Sequence, residues 1–269
     1  MKIIALLVHD DDGQEARLQA ALDVARAVDG HLTCIHVTVP VAAGVPFGGV
    51  TPVLTEDSVA REIANRARIE ARLETEFVSR DWIEMVGDMA SALVQAAAFT
   101  DLFVVDRAVD RILPSRVSGA AGDVLIRSGK PILAVPADAR HFASGGHAVI
   151  AWDGSASACA AMRAAIPLLR RAAEVTLLEI DDGSVTIPAE DAATYLARHG
   201  IMANVRAKHR PAETAGSILL ELLDQMRGDY LVMGGFGHSR TRERLFGGVT
   251  RTMLADSPVP LFLAHAPFA

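Results

Sequence analysis

The stretch with the clearest chemical potential is "MGGFGHSRTRERLFGGVT", Met233 to Thr250, near the end of the chain. It sets Gly234, Gly237, Gly247 and Gly248 around Arg240, Arg242 and Arg244. Glycine lets a backbone approach a ligand closely or take positive φ, and arginine and free backbone N–H groups suit phosphate. A surface loop punctuated by turn glycines has the same composition, so the elements around the stretch decide its meaning. Other reactive residues form weaker patterns. The nine histidines show no HxH or HExxH spacing, and His9 beside Asp10–Asp12 reads as a solvated strand-end cluster rather than a metal site. Ser155 in "DGSAS" reads as the N-cap of a helix from about Ala156 to Arg171, because no base lies at a spacing that would make it a nucleophile. Cys34 and Cys159 lie in apolar segments and read as core filler.

The elements that must hold the glycine stretch emerge from an internal repeat. "ALLVHDDDGQEARLQAALDVARAVDGHLTCIHV" (Ala5–Val37) lies over "AVIAWDGSASACAAMRAAIPLLRRAAEVTLLEI" (Ala148–Ile180) without a gap. Each copy reads as an apolar strand ending in aspartate (Asp10, Asp153), an Ala/Leu-rich helix, then a second strand. "TDLFVVD" (Thr100–Asp106) likewise lies over "GDYLVMG" (Gly228–Gly234), and both copies close on a short strand after a proline. The chain is therefore expected to be two α/β units, 1–138 and 147–269, joined by "DARHFASGGH". Strand–helix alternation predicts two tandem doubly wound, Rossmann-like domains, each a mostly parallel five-stranded sheet flanked by helices. Ligands of such sheets bind beyond the carboxyl ends of the strands, at the switch point, where Asp153, Ile180 and Gly234 all fall.

Strand context, aspartate and glycine spacing together resemble the universal stress proteins in tandem form. Nucleotide-binding members of that family carry G-x2-G-x9-G-[ST] after the fourth strand and an aspartate after the first. Gly234, Gly237 and Gly247 reproduce the spacing, and "AWDGS" supplies Asp153. The resemblance covers both halves and implies a stress-response protein that binds adenine nucleotide in its second copy. The implied contacts are Asp153, Ile180, Gly234, Gly237, His238, Gly247, Gly248, Val249 and Thr250, with ATP as ligand and ADP or AMP as alternatives. Gly234 and Gly237 would open the backbone to a triphosphate, and a helix beginning near Val249 would present free N–H groups to it. One departure is Gly248, where the pattern has Ser or Thr; the hydroxyl of Thr250 is the nearest substitute. The resemblance also implies an intramolecular pseudo-dimer, the last strands (about 131–136 and 260–265) meeting across a pseudo-twofold axis. Slow ATP hydrolysis is the most that an enzymatic reading allows, since no base for water stands out and no P-loop lysine is present.

The first copy departs from the pattern. Asp106 replaces Gly234, Val109 replaces Gly237, and only Gly119 matches. A carboxylate repels phosphate and a β-branched side chain crowds it. This copy instead carries "TVPVAAGVPFGGVTPVLT" (Thr38–Thr55), eighteen residues without a charge. Such a loop packs on its own domain, on a second chain in a homodimer, or as a lid over an apolar ligand. An apolar-ligand binder or interaction module working through it without nucleotide is the alternative function. Net charge is −7 and aromatics make up 5%, which argues against nucleic acid as a partner. No apolar run approaches eighteen residues and the amino-terminal run is too short for a signal peptide, so a cytoplasmic protein without membrane contact is expected. No metal motif is visible.

Overall fold

The apolar runs pair into one continuous ten-stranded sheet. The computed structural model describes residues 1–45, 49–53, 55–107, 120–180, 185–208, 213–236 and 248–266, with the backbone alone for 41–45, 49–53, 58 and 120. Gly237, His238, Gly247, Val109 and Gly119 therefore lie outside the described residues. The first half runs β1 (Ile3–Val8), α1 (Gln14–Val28), β2 (His31–Thr38), β3 (Val41–Val45), β4 (Gly49–Val53), α2 (Glu56–Glu74) and β5 (Ser79–Val86). It continues with α3 (Met89–Gln95), a 3-10 turn, β6 (Leu102–Asp106), α4 (Ala120–Ser128) and β7 (Ile132–Val135). The second half repeats the plan with β8 (His147–Trp152), α5 (Ala156–Leu169), β9 (Glu174–Ile180), α6 (Ala189–Arg198) and β10 (Asn204–Lys208). It ends with α7 (Ala215–Gln225), β11 (Tyr230–Gly234), α8 (Gly248–Asp256) and β12 (Leu261–Ala264).

Strand order is β10-β9-β8-β11-β12-β7-β6-β1-β2-β5. In this sheet every strand pair within each half is parallel, and the halves meet through the antiparallel pair β7–β12 with Leu133 opposite Phe262. The last strands thus meet about a pseudo-twofold axis, as expected. Helices cover both faces, which is why the central strands are apolar without alternation. One face buries Leu18 and Leu22 of α1, Ile69 and Leu73 of α2, Ala161 and Leu168 of α5, and Leu196 of α6. The other buries Leu93 of α3, Val124 of α4, Ile218 and Leu222 of α7, and Met253 of α8. The outer strands β5 and β10 are largely exposed and carry Arg80, Asp81, Glu84, Arg206 and Lys208, charges that discourage edge-to-edge pairing.

The connection between the halves is packed. Phe142 is buried, its N–H donates to Asp23 of α1 at 2.9 Å, and its ring lies 5.0 Å from that of Tyr230 in β11. The uncharged segment after β2 differs from the expected loop: its backbone forms the antiparallel hairpin β3–β4, with Val41 opposite Val53 and Val45 opposite Gly49. Valine at both ends of β3 and glycine beside the turn suit a hairpin better than an open loop. What its side chains pack against lies outside the described residues.

Candidate functional site

In the second half, the strands on either side of the switch point send their helices to opposite faces. From β8 the chain enters α5 on one face, and from neighbouring β11 it leads to α8 on the other. The register places Trp152 of β8 level with Glu179 of β9 and, two residues beyond the Ile150–Val232 pair, with Gly234 of β11. Asp153, Ile180 and Gly234 therefore share one sheet edge on three adjacent strands. Asp153 Oδ1 accepts from the Ser155 N–H at 2.9 Å, and Ser155 Oγ accepts from the Ala158 N–H at 3.1 Å, capping α5. Gly154 between them has φ +72°, a conformation that a side chain would strain. A strap from the next connection closes on this turn. Thr186 Oγ1 donates to the Gly154 carbonyl at 2.8 Å, and Trp152 Nε1 donates to the Ile187 carbonyl at 2.8 Å.

Gly234 has a local reason of its own. A Cβ built there would lie 2.7 Å from the Ala158 nitrogen and 2.8 Å from the Ser157 carbonyl carbon, both backbone atoms of the first turn of α5. Close helix–strand packing requires this glycine whether or not a ligand is present. Thr250 also has a structural task. Its hydroxyl is buried and accepts from the Phe236 N–H at 3.3 Å, joining the two flanks of the 237–247 segment. Gly248 opens α8, and among the described residues a Cβ there would meet nothing within 4 Å. No acidic side chain occupies the first turn of α8, so its N-terminal N–H groups face no carboxylate of their own helix.

The matching place in the first half is filled. Arg17 of α1 is fully buried and points at the end of β6. Its guanidinium makes a two-pronged pair with Asp11 at 2.8 and 2.9 Å, pairs with Asp106, and donates to the His9 carbonyl at 3.2 Å and the Leu7 carbonyl at 3.3 Å. Burial works against the charge on Arg17, yet the hydrogen bonds and charges of Asp11 and Asp106 raise its pKa. Burial also raises the pKa of Asp106, with Arg17 opposing the rise and Asp11 adding to it. A Cβ at Gly13 would collide with the Asp106 carboxylate, so α1 is seated directly on this cluster. Asp106 is thus not a bare negative charge. It is the internal anion of an arginine that sequence reasoning missed, although a lone arginine on the apolar face of α1 following three aspartates was the available signal.

Beside this cluster, His36 Nε2 lies 3.1 Å from Glu62 Oε2, and His9 Nδ1 lies 3.0 Å from Glu62 Oε1. His9 therefore turns inward onto α2 instead of standing in solvent. The amides of Gln14 and Asn65 complete the buried polar layer by exchanging hydrogen bonds at 2.6 and 2.8 Å. Among the described residues no His, Cys, Asp and Glu side chains form a group able to hold a metal ion.

Comparison with solved structures matches this two-lobed plan over almost the whole chain. A universal stress protein from Archaeoglobus fulgidus DSM 4304 aligns over 98% of this chain and 96% of its own, with TM-score 0.76 and 16% identity. The chain has the fold of a tandem universal stress protein. A functionally unknown protein from Pseudomonas aeruginosa PAO1 shares the tandem fold, with TM-score 0.62 over 98% of this chain and 92% of that one at 13% identity. A universal stress protein from Arabidopsis thaliana with AMP bound covers 45% of this chain and 92% of its own, at 14% identity and TM-score 0.35. No family model matches the sequence, and no curated protein matches it. In the universal stress protein fold, the two halves of this chain stand as unequal copies, one with a filled switch point and one with a glycine-flanked one.

Proposed function

We propose that this chain is a cytoplasmic stress-response protein that binds adenine nucleotide, ATP in the first instance, in its C-terminal repeat. The carrying observation is the contrast between the two switch points. Arg17, Asp11 and Asp106 occupy the first, whereas in the second the end of β11 is a glycine, Gly234, seated on the first turn of α5, and the first turn of α8 carries no acidic residue. In this reading the repeats are 1–138 and 147–269. Asp153 and Ile180 hold the adenosine portion, and Gly234, Gly237, His238, Gly247, Gly248, Val249 and Thr250 form the phosphate side. Helix N–H groups and the helix dipole supply attraction for the phosphates, and no residue is assigned to chemistry. Both cysteines are free thiols, as suits a reducing compartment. The purified chain is expected to bind ATP with a calorimetric stoichiometry near one. A stoichiometry near two would remove the asymmetry, and no binding heat together with no nucleotide released on denaturation would remove the reading itself.

Gly248→Ser tests the phosphate side directly. Among the described residues none stands within 4 Å of a Cβ at the position, so a serine enters without moving any of them. Its hydroxyl at the first position of α8 is expected to tighten ATP binding by the ~0.5–1.5 kcal/mol of a net hydrogen bond. Unchanged affinity by calorimetry would show that the ligand does not meet this end of α8.

A further inference from the structure

The two helices that follow the equivalent strands β6 and β11 are pseudo-twofold mates, α4 in the first repeat and α8 in the second, yet they are anchored differently. Helix α4 carries its own cation in its last turn, Arg127, whereas α8 has no basic residue there. The missing cation comes from the opposite repeat. Arg107, the residue after β6, donates through Nη1 to the Leu254 carbonyl in the last turn of α8 at 3.0 Å, and its own N–H is fixed on the Val135 carbonyl at 2.9 Å. A guanidinium at this end satisfies a carbonyl that the helix itself leaves unpaired and is favoured by the helix dipole. The other flank of the segment is also held from across the axis. A Cβ on Gly235 would overlap Leu125 of α4, so β11 leaves the sheet against the first repeat. The position equivalent to Arg107 in the second repeat is this Gly235, so the same place in the two copies has split into an anchoring arginine and a glycine that accepts the neighbour's helix.

We propose that Arg107 is a positioning residue for the site of the opposite repeat. The first repeat, its own switch point filled, serves to fix α8 so that the N-terminal end at Gly248 is held ready for an anion. The effector of this arrangement is the N-terminal repeat itself, acting on a nucleoside phosphate bound about one helix length away. This proposal rests on the nucleotide reading of the C-terminal repeat, and its test separates the two.

The test measures hydrogen exchange across α4 and α8 and ATP affinity by calorimetry in wild type, Arg107→Ala and Arg107→Lys. Arg107→Ala is expected to speed exchange in α8 while leaving α4 unchanged. It should weaken ATP binding about tenfold, within the 5–150-fold range of coupled sites. Arg107→Lys retains the cation and a donor and should recover most of both effects. Equal acceleration in α4 and α8, or no acceleration in α8, would overturn the proposal. So would unchanged ATP affinity in a variant whose wild type binds ATP. If the wild-type chain binds no ATP, the nucleotide reading fails, and selective loosening of α8 still decides whether Arg107 positions that helix. Should Arg107→Ala fail to fold, Arg107→Gln takes its place with the same outcomes.

Discussion

Arg17→Met is expected to destabilise the chain by about 3–5 kcal/mol near neutral pH, the range seen when one partner of a buried ion pair is removed. Met matches much of the arginine stem but leaves the Asp106 carboxylate, three-quarters buried, without its cation. Asp11 loses the two-pronged partner that holds the β1–α1 turn. Chemical denaturation followed by fluorescence reports the loss, because Trp82 lies in the first half and Trp152 in the second. The deficit should shrink in acid, and the sign follows from Asp106. Burial holds its folded-state pKa above the ordinary carboxylate value, and removing the arginine charge raises it further. A group with a raised folded pKa contributes stability that is present below its unfolded pKa and is lost as pH rises through the folded one. The difference between Arg17→Met and wild type is therefore smaller at mildly acidic pH than at neutrality, by ~1.4 kcal/mol for each unit of added shift. Pairing Arg17→Met with Asp106→Leu removes the stranded charge and should restore much of the stability. A single variant within ~1 kcal/mol of wild type at neutral pH would show that the cluster only fills space.

Much of this architecture is legible in the chain because repetition carries it. One constant offset across the first βαβ unit of each copy placed strands, helices and Asp153 together, and apolar strands bounded by helical periodicity left few alternatives to a doubly wound sheet. The antiparallel meeting of β7 and β12 followed from resemblance and not from local pattern, since two short apolar strands carry no signal of mutual direction. Long-range pairing was hidden for the same reason. Arg17 and Asp106 lie far apart in the chain, and only the seating of α1 over β6 brings them together. The role of Thr250 was hidden too, because a hydroxyl two residues inside a helix reads equally as a ligand contact and as a staple to Phe236. The hairpin β3–β4 was masked by its composition. Prolines and glycines spread through the segment speak for a loop, and only pairing between its two valine-bearing arms makes strands.

Gly234→Ala separates two explanations of one glycine, and its effect on the nucleotide-free protein is decisive. If Gly234 serves only to admit a ligand, a methyl group there reduces ATP binding and leaves the empty protein as stable as before. The structure requires more. The added carbon would approach the Ala158 nitrogen, the Ser157 carbonyl carbon and the Ser157 Cβ at 2.7–2.9 Å, and two of these are backbone atoms of a helix that cannot rotate aside. The first turn of α5 has to retreat, and it is held by Ser155 capping Ala158 and by the Ser157 hydroxyl accepting from the Ala266 N–H at 3.2 Å. Overpacking of this kind costs ~1–3 kcal/mol, and a bulkier Gly234→Val should cost at least as much. Because the Asp153–Ser155 turn begins that helix, ATP affinity falls in the same variants as a consequence of the shift. The expected signature is a lower denaturation midpoint without nucleotide, together with weakened binding. An unchanged midpoint with binding lost would return Gly234 to a purely ligand-facing role and refute the packing account of its place at the end of β11.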